Sequence, residues 1–390
     1  MIEKNKTWPT IAASAVLAVV FMLPNMATPV YPYWKAKIGF SAGAMTGIFS
    51  MYIAGLVVSL IISGQLADRW GHKAVLIPGL LLAAFSCLLY MDAQSVLTLS
   101  VARVLTGFAV GTVVTAGMAC VIELGGISRL RTSSLLASIA IMFGAGIGPL
   151  MSGFVAQKLA EPVAIIYKIE MLAIVICLGL VCILPLQKLP VPDTPLRLKL
   201  PAVYPQNNIH IALGVSVYIP ALTSVSFVAA LAPTMFSHQL GSNSPLLAGA
   251  AVALTFLSAS LIQPLIGKLK IKTLLSSGAL VCILSLGFMS ASVIHHSVFT
   301  LILAGVLAGI SQAMAQLGAI SLISQKVPAN VRAQGNALFS LGGYIPAGIL
   351  SGISGFVIDL VGLTAAICLL SGLVSLLALG GGAFVLRSKI

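Results

Sequence analysis

The sequence predicts an all-α integral membrane protein of twelve transmembrane helices, arranged as two pseudo-symmetric six-helix bundles. Three observations predict it. Charged residues make up 7% of the 390-residue chain and hydrophobic ones 59%, whereas soluble domains carry roughly 25% charge, so lipid is the solvent for most of this chain. The sparse Asp, Glu, Lys and Arg residues cut it into apolar runs near the ~20 residues that a helix needs to cross a bilayer. Midway, Pro185, Pro190, Pro192, Pro195, Pro201 and Pro205 alternate with Lys188, Asp193, Arg197 and Lys199, a change of composition that reads as a linker. The expected organisation is a first bundle over 1–186, a cytoplasmic linker over 187–208 and a second bundle over 209–390. Paired halves of this kind are a common plan for secondary transporters.

The spans follow in order. The first runs from Thr7 to Trp34; it is too long for a cleavable signal peptide and reads as a retained span. The second runs from Ile38 to Ala67, the third from Ala74 to Met91, and the fourth from Ala93 to Ile122, broken only by Arg103. The fifth runs from Thr132 to Gln157, and the sixth from Pro162 to Gln187 with Lys168 and Glu170 inside it. Leu200 to Gly267 carries no formal charge but is too long for one span; the turn-rich stretch from Ser237 to Pro245 divides it into the seventh and eighth. Thr273 to Gln325 divides at His295, His296 and Ser297 into the ninth and tenth. The eleventh runs from Ala333 to Ile358 and the twelfth from Leu360 to Leu386.

Orientation follows from the basic residues. If the amino terminus is cytoplasmic, 16 of the 21 Lys and Arg fall on the cytoplasmic side, three (Lys35, Lys37, Lys158) in outer loops, and two (Arg103, Lys168) within spans. Basic residues concentrate on the cytoplasmic side of membrane proteins, so both termini are expected there, in a bacterial inner membrane. The net charge of +13 does not imply nucleic acid, which would need basic residues gathered on a soluble face. The six cysteines lie within apolar runs with no metal-ligand spacing, and the five histidines lie at span ends or in loops. No catalytic constellation, metal site or cofactor is expected. With neither a phosphate-binding glycine loop nor an ATP-binding domain, energy has to come from a gradient.

One stretch is specific. Gly64-Gln65-Leu66-Ala67-Asp68-Arg69-Trp70-Gly71-His72-Lys73 joins the second and third spans. It resembles the signature loop G-x-L-a-D-r-x-G-r-K of the major facilitator superfamily, with Gly64, Leu66, Asp68, Arg69, Gly71 and Lys73 in place and His72 where the family usually has arginine. The resemblance implies the superfamily fold and a conformational gate at Gly64, Asp68, Arg69, Gly71 and Lys73, in which the acid locks the cytoplasmic side of the outward-facing state. A physical route is the amino-terminal end of the eleventh span, near Arg332 to Asn336, which presents a partial positive charge. In the second half, Gly267 to Lys272 occupies the place of this loop but lacks the acid.

Two further patterns lie in the first half. Gly144, Gly148, Pro149 and Gly153 in the fifth span resemble the G-x-x-x-G-P-x-x-G-G pattern of the antiporter, exporting branch, with Ser152 replacing a glycine. Arg103, Gly107 and Gly111 resemble the R-x-x-x-G-x-x-x-G pattern of the fourth span, which in the family is connected with proton transfer. An arginine roughly 15 Å along a span should face the bundle interior and find a partner, unless it snorkels to the outer interface. The acid that takes the proton stays open. Glu170 is a candidate if the sixth span starts at Pro162, because desolvation disfavours a charged carboxyl; if the span starts at Met171, Glu170 lies at the interface. Glu123 is a second candidate at the cytoplasmic edge, where a structural role is the alternative, as it is for Asp92 and Asp359 beside outer loops.

For the substrate, candidates are Asn25 and Tyr31 in the first span, Tyr218 in the seventh, Gln312 and Gln316 in the tenth, and Asn336 and Tyr344 in the eleventh. Gln312 and Gln316, at i and i+4, share a helix face, and buried amides in hydrocarbon need partners; tyrosines near span ends can instead belong to an interfacial belt. The expected function is proton-coupled export of a small amphipathic molecule, drug-like or a secreted metabolite such as a siderophore, by a monomer whose partners are its substrate, protons and the lipid bilayer. The alternatives are proton-coupled uptake of a nutrient and, from another class, a non-transporting sensor or scaffold.

Overall fold

The computed structural model describes residues 7–126, 129–186, 200–240, 244–328 and 331–388. Twelve helices among them are long and apolar enough to cross a membrane. They are α1 (Trp8–Ile38), α2 (Ala42–Trp70), α3 (His72–Met91), α4 (Val96–Gly125), α5 (Thr132–Lys158), α6 (Pro162–Ile183), α7 (Pro205–Gln239), α8 (Pro245–Ile266), α9 (Ile271–Ile294), α10 (Val298–Lys326), α11 (Gln334–Val361) and α12 (Leu363–Arg387). An even number of crossings puts both ends of the chain on one side, called here the terminal face. Of the expected linker, 187–199 lies outside the described residues; Leu200 to Tyr204 has no regular structure and Pro205–Asn207 is the 3-10 turn that opens α7.

Several helix ends differ from the charge-based expectation by a few residues, and backbone chemistry explains why. α1 runs past Trp34 to Ile38 and stops at Gly39, whose φ of 79° is left-handed; Ser41 then caps α2 by accepting from the Ala44 N–H. Left-handed glycine is a common helix terminator, and it outranks the charge at Lys35. α11 continues through Asp359 to Val361 and is capped by Gly362, at φ 82°, so Asp359 falls in the last turn of the helix. Two spans are irregular inside the membrane. α1 passes through a 3-10 turn at Thr28–Val30, around Pro29, and α4 widens into a π-turn at Val113–Gly117.

Small residues set the packing within each half. Gly55 of α2 and Gly107 of α4 lie against the carbonyls of Val104 and Tyr52, so a Cβ on either would collide with that oxygen. In the second half Gly309 of α10 is pressed in the same way on the carbonyl of Thr255 in α8. The pseudo-symmetry extends to capping. Lys73 at the start of α3 donates to the carbonyls of Cys182 (2.7 Å) and Leu184 (3.0 Å) at the end of α6, and Lys272 at the start of α9 donates to that of Ser388 (3.0 Å) after α12. A cation at a helix carboxyl end satisfies orphan carbonyls and opposes the negative pole of the dipole. Exposed leucines and other large apolar residues, such as Leu81, Phe85 and Leu88 on α3, Leu172, Val175 and Ile176 on α6, and Leu369, Leu373 and Leu376 on α12, form the lipid-facing surface.

Candidate functional site: a central cavity closed on one side

The halves meet along α2–α11 and α5–α8, and most of the close contacts lie toward the face opposite the termini. There the Gly43 N–H donates to Asp359 Oδ2 (2.7 Å), Thr46 Oγ1 donates to the Gly352 carbonyl (3.0 Å), and Thr28 Oγ1 donates to the Ala229 carbonyl (3.0 Å). A Cβ at Gly355 would strike the Ala42 carbonyl, and one at Gly249 that of Pro149. On the other side of the membrane midplane the halves separate. A cavity of about 460 Å³ runs from Gln312 and Tyr344 at mid-span, past Ser138, Gln263 and Gln316, to Ser134 and Gly267 near the terminal face. A smaller space of about 80 Å³ continues from it, sharing Phe21, Met142, Gln312 and Tyr344 and reaching Asn25, Phe49, Tyr52, Phe256 and Arg103. A hydrogen bond from Ser138 Oγ to Gln263 Oε1 (2.7 Å) ties α5 to α8 along this cavity.

Arg103 forms part of the inner end. It is 1% exposed, so it does not snorkel outward. Nε and Nη2 donate to the Tyr31 hydroxyl at 3.0 and 2.7 Å, and Nη1 donates to the Pro24 carbonyl, where the proline-interrupted first span turns. The guanidinium also lies 5.4 Å from the Tyr31 ring centre and 5.5 Å from that of Phe49. Beyond Tyr31, toward the closed face, Trp34, Tyr90 and Tyr167 stack on one another with centroids 4.6 to 6.0 Å apart. This aromatic plug joins α1, α3 and α6.

The expected cavity residues divide. Asn25, Gln312, Gln316 and Tyr344 line it. Tyr31 does not, because its hydroxyl is committed to Arg103. Tyr218 does not line it either: it is buried against Phe339 and Tyr344, with centroids 4.5 and 6.4 Å away. Asn336 is outside the lining, with its Oδ1 buried and unpartnered. The aromatic lining from Phe21, Phe49, Tyr52 and Phe256 was not visible in the sequence, since a phenylalanine facing lipid and one facing a cavity give the same apolar run. Gln263 was findable, as an amide inside an uncharged span.

The proton candidates separate as well. Glu170 belongs to α6, which starts at Pro162, and is fully buried with both carboxyl oxygens unpartnered. Its neighbours include Cys87 and Cys177, and it does not line the cavity. Glu123 Oε2 lies 3.4 Å from His72 Nε2, which gives the departing base of the α2–α3 loop a neighbour on α4. Asp68 is exposed at the terminal face, and no described hydrogen bond or ion pair joins it to α11. Gly71 takes φ 84° to turn the chain from α2 into α3, and Gly64 has open space around it. The fifth-span pattern forms a two-sided contact. Gly144 and Gly148 let α5 lie against the backbone of Ala18 and Met22 in α1, while Gly153 admits Pro245 of α8. Ser152, in place of a glycine, donates to the Met26 carbonyl. Among the described residues no group of His, Cys, Asp and Glu is arranged to hold a metal ion.

Comparison with known proteins matches the sequence to the model of the family described as Major Facilitator Superfamily, over residues 13–209 and 212–389. Among curated proteins it is 28% identical over 112 residues to the bacillibactin exporter of Bacillus subtilis (strain 168), covering 29% of this chain and 28% of that protein. It is 34% identical over 92 residues to the arabinose-proton symporter of the same organism, covering 21% and 20% respectively. The aligned stretches thus span under a third of either relative. Among solved structures it superposes on a POT family transporter in complex with 5-aminolevulinic acid with a TM-score of 0.82 at 14% identity, over 98% of this chain and 96% of that one. It superposes on the nucleoside transporter NupG with a TM-score of 0.71 at 14% identity, over 99% and 100%.

Proposed function

The chain belongs to the Major Facilitator Superfamily and is a non-enzymatic secondary transporter, and from that premise we propose that it exports a small amphipathic molecule in exchange for protons. Candidates are a drug-like compound or a secreted metabolite of siderophore type. The observation that carries this reading is the cavity between the halves, open to the terminal face and shut on the other by α2–α11 and α5–α8 contacts. With the termini in the cytoplasm of a bacterial inner membrane, the orientation that the basic residues favour, it is the inward-facing state of a monomeric alternating-access carrier. The direction draws on the fifth-span glycine and proline pattern, which packs α5 against both α1 and α8, and on the bacillibactin exporter as a relative. In this reading Asp68 returns to the amino-terminal end of α11 when the cytoplasmic side closes. Glu170 and Arg103 are the membrane-embedded groups through which proton movement is coupled.

The test is reconstitution into liposomes with an imposed pH gradient and a panel of amphipathic solutes. Export by antiport predicts solute and proton fluxes in opposite directions, abolished by a protonophore. The arabinose-proton symporter as a relative favours the second reading, nutrient uptake, which predicts fluxes in the same direction. A sensor or scaffold would move neither. Asp68→Asn is expected to preserve insertion while slowing turnover, and an unchanged rate would remove the lock from the mechanism.

A further inference from the structure

The electrostatics of the cavity narrow the solute. Of the eight acidic residues in the chain, none lines either part of the cavity. Asp68, Asp92 and Glu161 are exposed at the membrane faces, Glu123 faces His72, Asp359 holds the Gly43 N–H, and Glu170 is buried away from the lining near Cys87; Glu3 and Asp193 lie outside the described residues. The cavity does contain a cation. Arg103 is fully desolvated, and its described partners are a neutral hydroxyl and a neutral carbonyl. A buried charge is costly without an opposite charge or a full set of hydrogen bonds. A guanidinium has five N–H donors, and three are used here, which leaves one on each terminal nitrogen. Gln312, also lining both parts of the cavity, is 4% exposed and has its Oε1 buried without a partner. Around the two lie apolar and aromatic walls from Phe21, Phe49, Met142 and Phe256.

We propose that the cavity is an organic-anion site, in which the two remaining Arg103 N–H groups take a carboxylate or similar single negative charge, Gln312 Oε1 accepts a hydrogen bond, and an aromatic body fills the apolar walls. This rests on the reading of the cavity as the transport site. One unused N–H on each terminal nitrogen of a guanidinium leaves donors for a carboxylate, and a permanent cation would meet Arg103 with no counter-charge available. The approach favours the same sign of ligand. Lys268 directly follows Gly267 at the cavity mouth, and Arg129, Lys270 and Lys326 are exposed on that face, a field that concentrates anions at the entrance.

The experiment is equilibrium dialysis of the full-length protein in lipid nanodiscs against an isosteric pair, 1-naphthoate and the neutral 1-naphthamide, and against a bulkier cation, tetraphenylphosphonium. Wild type is expected to bind naphthoate at least tenfold more tightly than naphthamide, and tetraphenylphosphonium weakest. Arg103→Lys is expected to keep the preference and Arg103→Gln to abolish it. Because the second variant removes a buried structural group, Gln312→Glu serves as a further test; an acid lining the same space as Arg103 is expected to cancel the preference for naphthoate in a protein that keeps its arginine. Equal binding of naphthoate and naphthamide by wild type, failure to bind either, or a preference for tetraphenylphosphonium overturns the anion site. So does a folded Arg103→Gln protein that still prefers naphthoate. Liposome flux separates this from the transport reading. Gradient-driven movement of a neutral or cationic solute without any anion preference sinks the anion site alone, whereas anion-selective binding without flux of any solute upholds the site and sinks export.

Discussion

A carboxylate beside the first-turn N–H groups of a helix fills an orphan donor and faces a partial positive charge. Asp359 does this for α2 from the other half of the molecule, so one side chain helps to hold the closed face shut. Asp359→Ala is expected to weaken that closure by about 1 kcal/mol, the usual cost of a lost cap. Spin labels at Ser41 and Leu363 should then show a broader, longer distance distribution, and an unchanged one would deny Asp359 this role. Lys73 and Lys272 act at the other face, each closing the carboxyl end of a helix in its own half. Lys73→Met and Lys272→Met should each cost stability on the order of 0.3–1 kcal/mol, as expected for a cation at a helix end, seen as a lower thermal midpoint in detergent. Here the sequence was informative in one half and silent in the other. The lysine of the α2–α3 loop was legible as part of a motif, but its duty toward α6 was not, because the acceptors are backbone carbonyls more than a hundred positions away. Lys272 stood in a loop without the motif's acid and yet has the same capping duty.

The elements are set by glycine at two kinds of position. At Gly39, Gly71 and Gly362 the backbone turns through positive φ, which ends a helix where charge counting alone would misplace the boundary by a few residues. At Gly55 and Gly107 the issue is space. Gly107→Ala forces a methyl group into the Tyr52 carbonyl and is expected to cost about 1–3 kcal/mol, as overpacking does, seen as a lower midpoint or loss of the monodisperse peak. Gly372→Ala in α12, where no atom lies within 4 Å of the added carbon, should leave stability unchanged or raise it by about 0.5–1 kcal/mol, with the midpoint following. Equal loss in both variants would mean that general helix flexibility and not close approach explains these glycines. The spacing of Arg103, Gly107 and Gly111 was readable as a pattern, but only packing shows that its glycines admit α2. The 3-10 turn of α1 and the π-turn of α4 had less signal: Pro29 marks the first, and nothing in Val113 to Gly117 marks the second.

At the scale of the whole molecule, the two halves touch on one side of the membrane and part on the other. A cysteine in place of Gln316, which lines the cavity, should react with a maleimide supplied from the terminal face in a Cys182→Ser background, since Cys182 is exposed. A cysteine in place of Thr28, buried and bonded to the Ala229 carbonyl, should not; the reverse pattern would contradict the state described. By itself the sequence determined the number of crossings, the near positions of their ends and the grouping of basic residues on one face, because in hydrocarbon every charge is expensive enough to leave a mark in the chain. It also marked Gln312 and Gln316 as amides sharing one helix face, and Arg103 as an embedded charge that either faces inward or snorkels. Only the tertiary structure decided which residues share the cavity, that Tyr31 serves Arg103 and not the lining, that Glu170 lies away from it, and that Asp359 bridges the halves. Those outcomes depend on which helices become neighbours and how far each is rotated, and apolar side chains that pack equally well against lipid or protein carry no record of that choice.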